Sequence, residues 1–271
     1  MRTSIKQILI VYKKDNGKAH GLGNEIFDWL KEHALDCFLA CSGQNYKDFF
    51  QNPGIVLVLG GDGTILEVAR YFTGTGTIIL GINFGRVGFL ASAEPDNWKE
   101  ILKKALERPE DARKCLALEW QLHGKNCSQK GFAINDLVVS HGKVARLVNL
   151  ELNIDDNNLG CLRSDGVIFF SPLGSSGYNY SAGGPIIHPA SVVLGMTPVC
   201  PFMSSSASLV FPAKTTFSVK LEKNSPDCYL TVDGQENWQL QYGDVLYVRG
   251  QTNAVRLWGN DQKYISHLAK F

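Results

Sequence analysis

The feature that most constrains this chain is an uninterrupted apolar run, IVLVL at 55–59. It empties directly into Gly60-Gly61-Asp62-Gly63-Thr64 and then into a helical pattern starting at Ile65. A strand without polar alternation is covered on both faces, which is the condition of a central strand in a parallel sheet flanked by helices. The runs around it agree. Ile8 to Val11, Cys37 to Ala40 and Thr77 to Ile82 are further short strands. Between them, Leu22, Ile26, Trp29, Leu30 and His33 recur at helical spacing. Asp96 is positioned to cap a helix carrying Trp98, Ile101, Leu102, Ala105 and Leu106 on one face. This predicts an α/β N-terminal domain with a mostly parallel sheet.

The pattern changes after Arg108-Pro109-Glu110-Asp111. From Leu116 onward strand-like stretches dominate: LALEWQLHG, AINDLVVSH, VNLELNI, GVIFF, TFSVKLE, CYLTV and DVLYVRG. Turn signals separate them at Asp155-Asp156-Asn157-Asn158, Asn224-Ser225-Pro226 and Asp233-Gly234. The expected division is an α/β domain over 1–112 and a β-rich, sandwich-like domain over 113–258, with a helix at 259–271 packing back on the first.

A chain of 271 residues supports such cores without disulfides or metal. Its formal charge of +1 carries no footprint of a nucleic-acid or anionic-membrane partner. The 7 cysteines are odd in number and irregularly spaced, which predicts reduced thiols, mostly in the core, and a cytoplasmic location. The apolar run near the N-terminus is too short to span a bilayer. The 6 histidines are scattered, so no fixed metal site is expected, and His188 reads as a packing residue.

Glycines at the end of a buried strand let backbone N–H groups approach an anion, and a helix opening behind them adds a partial positive charge. The segment is neither a P-loop, since no lysine follows, nor a dinucleotide GxGxxG turn. The same residues also suit a plain strand-to-helix turn with Asp62 as cap. Further on, LGSSGYNYSAGG opens from a buried strand into small hydroxylated residues interleaved with Tyr178 and Tyr180. Such a loop can lie against a planar base through Ser176, Ser181 and the backbone.

GGDGT after an apolar strand resembles the signature shared by NAD kinases, diacylglycerol and sphingosine kinases and phosphofructokinases. The later stretches resemble NAD kinases specifically: LGINFGRVGFLA (80–91), AINDLVVS (133–140), the long RSDGVIFFSPLGSSGYNYSAGGPIIHP (163–189), PVCP (198–201) and VDGQ (232–235). The resemblance implies a kinase that moves a phosphoryl group from ATP to the 2′-hydroxyl of the adenosine ribose of NAD. Mg²⁺ would arrive with ATP, and no tightly bound organic cofactor is implied. It implies Asp62 as proton acceptor, and Gly60, Gly61, Gly63 and Thr64 as the phosphate-facing turn. Asn135 and Asp136 would hold adenine and ribose groups. Asp165, Ser176, Gly177, Tyr178 and Ser181 would line the same ligand, and Phe89 would supply an apolar wall. A homo-oligomer, dimer or tetramer, is implied as well.

The chain departs from the family pattern at Asp136, where Glu is usual, and at Leu173, where the family has Thr. It also departs at 202–208, where an expected His and Arg are absent. A lipid or other small-molecule kinase with the same turn, or a non-catalytic pyridine-nucleotide sensor, are the alternatives.

Overall fold

The computed structural model describes residues 5–84, 88–124, 128–142, 146–202, 207–223, 225 and 227–259. The chain divides into two compact units, unit 1 of Met1–Cys115 with Ala254–Phe271 and unit 2 of Leu116–Asn253. The helix expected at 259–271, beyond its first residue, and positions 203–206 of the substituted stretch 202–208 lie outside the described residues.

In unit 1, β1 (Gln7–Tyr12), α1 (Gly17–Glu32), β2 (Asp36–Cys41), β3 (Ile55–Gly60), α2 (Asp62–Tyr71), β4 (Ile78–Asn83) and α3 (Trp98–Glu107) follow one another. The strands run parallel in the order β2-β1-β3-β4. Every residue of β3 and β4 is buried. Ile55, Leu57 and Leu59 pack with Ile26 and Leu30 of α1 and Trp98 and Leu102 of α3. On β4, a side chain at Gly81 would collide with Ile65 of α2, its Cβ lying 2.4 Å from the Ile65 Cδ1. Helices on both faces are why these strands carry no polar alternation.

Two local expectations are corrected. Helix α2 starts at Asp62, with Gly61 as its N-cap, so most of the glycine-rich turn is already helical. Helix α3 is capped at Asn97, not Asp96, and the Asn97 side chain turns back to accept from Glu94 N–H at 2.9 Å.

Unit 2 contains β5 (Arg113–His123, entering from unit 1), β6 (Ser128–Ala133), β7 (Asp136–His141), β8 (Val148–Ile154), β9 (Asn157–Ser164) and β10 (Gly166–Phe170). It continues with α4 (Tyr178–Ser181), β11 (Val193–Val199), β12 (Leu209–Pro212), β13 (Thr216–Leu221), β14 (Cys228–Val232), β15 (Glu236–Leu240) and β16 (Val245–Leu257). An antiparallel sheet β12-β11-β10-β7-β14-β15 faces strands β9, β8, β13, β16, β5 and β6. Leu137, Val139, Val167 and Phe169 from one side meet Leu150, Leu152, Val219 and Leu246 from the other. The remaining face of the first sheet is covered too: Val138, Ile168 and Phe170 pack with Ala182 and Ile187. That double cover explains the unbroken GVIFF.

Strand β16 ends in unit 1, where Arg256 and Leu257 pair in parallel with Ile78 and Ile79. Cys37, Cys115 and Cys228 are buried, but Cys161 and Cys200 are exposed, so the thiols are divided between core and surface. His188 is exposed and accepts from Ala190 N–H through its ring at 3.2 Å. It sits in a surface turn rather than the core. Among the described residues no helix is long and apolar enough to cross a membrane.

Candidate active site

Unit 1 presents the Gly60–Thr64 turn at the carboxyl end of β3. Gly60 is strand, paired with Asn83, and a Cβ there would meet the Thr64 Oγ1 at 2.7 Å. Thr64 is buried with its side chain folded over Gly60. What the turn leaves accessible is therefore Gly61, Asp62 and Gly63 at the opening of α2, where the helix dipole favours an anion. The Asp62 carboxylate is held. Phe89 N–H donates to its Oδ2 at 2.8 Å and Leu90 N–H to its Oδ1 at 3.2 Å. Phe89 is half-buried and stands outside the core cluster of its unit.

In unit 2 the stretch AINDLVVSH, read from sequence as one strand, is broken. β6 stops at Ala133 and β7 starts at Asp136, leaving Ile134 and Asn135 between them. Their amides are claimed by Asp233. Its carboxylate accepts from Ile134 N–H at 3.0 and 3.1 Å, from Asn135 N–H at 2.7 Å and from Asp136 N–H at 3.1 Å. Asp233 and Gly234 have φ of 48° and 67°, the conformation of a tight hairpin turn between β14 and β15. The carbonyls are claimed from the other side: Ser171 N–H donates to Asn135 O at 2.9 Å and Ser171 Oγ–H to Ile134 O at 2.5 Å. A Cβ on Gly174 would lie 2.1 Å from the Asn135 carbonyl oxygen, so residue 174 has no room for a side chain.

This grip presents two side chains to a pocket of about 330 Å³, lined by Asn135, Asp136, Ser140, Tyr178, Thr231 and Asp233 among others. The Asn135 Oδ1 is buried, and among the described residues no hydrogen-bond donor reaches it. Asp136 is 9% exposed, and among the described residues no hydrogen bond reaches its carboxyl. Burial, and then the neighbouring Asp233 charge, push its pKa up to about 7. A buried acceptor and a buried carboxyl facing a polar pocket suit a ligand rich in hydroxyl and amino groups. Tyr178, 47% exposed, adds an aromatic face.

The 171–184 stretch is not an open loop. It folds into tight turns around Asn179, which is fully buried and donates to Ser175 O and Pro185 O, each at 2.9 Å, and accepts from Thr197 Oγ1 at 2.6 Å. Ser176, Gly177 and Ser181 lie on these turns and are not among the residues lining that pocket. Asp165 is not among the residues lining this pocket, but it precedes Gly166, which pairs with the pocket-lining Ser140, and its carbonyl accepts from His141 N–H at 3.3 Å. Asp136 pairs with Phe170 at the other end of β10, roughly 16 Å along the strand at ~3.3 Å per residue. Asp233, Ser171, Gly174 and Asn179 were not assigned roles from sequence. The signal for Asp233 was present in VDGQ, but its task depends on a contact nearly a hundred residues away in the chain.

A family model described as ATP-NAD kinase N-terminal domain matches residues 51–110, and one described as ATP-NAD kinase C-terminal domain matches 134–258. An NAD kinase of Nitratidesulfovibrio vulgaris is 38% identical over 255 residues, covering 92% of this chain and 89% of that protein. The chain belongs to the NAD kinase family. A Lawsonia intracellularis NAD kinase is 34% identical over 98% of this chain and 95% of its own length. Among solved structures, a yeast NADH kinase complexed with NADH superposes with a TM-score of 0.88 at 23% identity, covering 100% of this chain and 88% of that one. An NAD kinase from Archaeoglobus fulgidus in complex with ATP gives 0.75 at 25% identity, covering 97% and 98%. The α/β plus antiparallel β-sandwich architecture is thus that of NAD kinases. The Asn135-Asp136 pair lines the pocket of unit 2, with Asp where the sequence resemblance expects Glu.

Proposed function

We propose that this chain phosphorylates NAD to NADP, taking the phosphoryl group from MgATP and placing it on the 2′-hydroxyl of the adenosine ribose. The observation that carries this reading is the polar pocket of unit 2. There the buried Asp136 carboxyl and the buried Asn135 Oδ1, neither hydrogen-bonded among the described residues, suit a partner with hydroxyl and amino groups. Two relatives that align over 92% and 98% of this chain, both NAD kinases, support it.

In this reading Asp62 accepts the proton of the attacking hydroxyl, and the partly exposed Gly61-Asp62-Gly63 backbone faces the transferring phosphates. Phosphoryl transfer passes through a loose transition state, so orientation and charge do most of the work and the proton moves late. With no lysine after the turn, donor charge is offset by the dipole of α2 and by the Mg²⁺ of the substrate. Phe89 and Tyr178 supply apolar and aromatic surface. The reading extends to a cytoplasmic homo-oligomer, dimer or tetramer, which sedimentation velocity tests.

A coupled assay of NADP formation from NAD, ATP and Mg²⁺ tests the activity. Steady turnover is the expected result. ATP consumption with a lipid emulsion but not with NAD would favour a lipid kinase instead, and NAD binding without turnover would favour a sensor.

A further inference from the structure

We propose that Gly88-Phe89-Leu90 is a positioning clamp for the Asp62 carboxylate, and that residue 88 is glycine because the carboxylate occupies the space of its side chain. This rests on Asp62 being the proton acceptor.

The two amide donors already described hold one carboxylate oxygen each, so neither side-chain torsion of Asp62 is left free. A Cβ built on Gly88 falls 2.2 Å from Oδ1, 2.8 Å from Cγ and 3.1 Å from Oδ2 of Asp62. All of its nearest neighbours belong to that one carboxylate. No left-handed φ asks for glycine here. The requirement is steric and comes from a single functional group.

The clamp is braced. Leu90, Ala91 and Ala93 are buried, and both Ser92 N–H and Ala93 N–H donate to Gly81 O at 3.0 and 3.1 Å. Asn83 N–H donates in return to Ala93 O at 2.9 Å. Residues 90–93 thus lie along β4, and the carboxylate is fixed between the first turn of α2 and a segment tied to the central sheet. Each oxygen keeps further lone pairs for a substrate hydroxyl. An added methyl at 88 would displace only the tip of one side chain, so it should disturb catalysis far more than folding. A misplacement of about 1 Å in a reacting group costs on the order of 100-fold in rate.

The test is a cycle of Gly88→Ala, Asp62→Ala and the double variant, read by kinetics and by thermal melting. Gly88→Ala should lower kcat about 100-fold with KM for NAD and ATP within about threefold, and lower Tm by roughly 2–6 °C through the two weakened charge-assisted bonds. In the Asp62→Ala background the same change should cost nothing in kcat or Tm, because it acts only through the carboxylate. Near-normal turnover of Gly88→Ala, or losses that multiply in the double variant, overturns the clamp. If Gly88→Ala melts far earlier, recovery in the double variant supports a clash with the carboxylate, and equal instability refutes it. A wild-type protein that makes no NADP sinks the preceding functional reading. The Tm cycle then decides the clamp alone: coupling supports it and additivity overturns it.

Discussion

Asp62 and Asp136 are both half of a carboxylate chemistry, but their surroundings treat them differently. Asp62 sits on the opening of a helix with an amide on each oxygen. Asp136 is buried beside another acid, with no donor on its carboxyl among the described residues, and its pKa is pushed up to about 7. For Asp62, replacing the carboxylate with the amide of Asn keeps the shape and removes the basicity. Asp62→Asn should bind NAD and ATP and lose roughly 10²–10⁴ in kcat, the range of a general base. Turnover near normal would remove Asp62 from that role. For Asp136 the sign runs the other way from most acids. The folded state holds its proton more tightly than the unfolded chain does, so the stability it contributes is full below about pH 4 and is lost as pH rises through about 7. Asp136→Asn should therefore gain stability over wild type between pH 5 and pH 8, by an amount on the order of 2 kcal/mol. Urea unfolding at the two pH values reads this difference. A gap that does not change with pH would mean that Asp136 is ionised throughout.

At the scale of elements, the site depends on an interruption. Had β6 continued into β7, Asn135 would be one more ladder residue. Instead its amide and carbonyl are held by the β14–β15 hairpin and by Ser171. Asp233 supplies the acceptor for three consecutive amides. Asp233→Ala leaves them without it in a buried place, at about 1–3 kcal/mol for each unsatisfied donor. We expect a stability loss of at least ~3 kcal/mol together with a raised KM for NAD, measured by chemical unfolding and steady-state kinetics. A loss under ~1 kcal/mol would mean that water replaces the carboxylate and the hairpin is not what fixes Asn135.

At the scale of the whole molecule, the chain leaves unit 1 within β5 and returns to it at the end of β16. Val255 and Leu257 are buried there, Leu257 against Ile79 of β4, and Arg256 donates to Gly76 O and Pro109 O. A chain ending at Asn253 loses this strand and uncovers the apolar edge of β4. Hydrogen exchange should show amides of Ile78–Asn83 losing protection while β8, β10 and β13 of unit 2 keep theirs. Unchanged protection in β4 would mean that unit 1 folds without the returning strand.

Much of this was legible in the residues alone. Apolar runs without alternation mark strands covered on both faces, so IVLVL and GVIFF announced central strands, and GGDGT announced the end of one of them. The exposed edge strands β9 and β15 were not legible. β9 is almost wholly exposed and β15 largely so, and without a buried face no pattern marks them. The break at Ile134-Asn135 was hidden for another reason: its cause is Asp233, a distant residue whose carboxylate competes for amides that a strand would otherwise use. Sequence determined the covered elements and the chemical groups on offer, because burial and turn chemistry act locally. Tertiary structure alone decided which acid is clamped and which is buried bare, because hydrogen-bond partners and excluded volume belong to neighbours far along the chain.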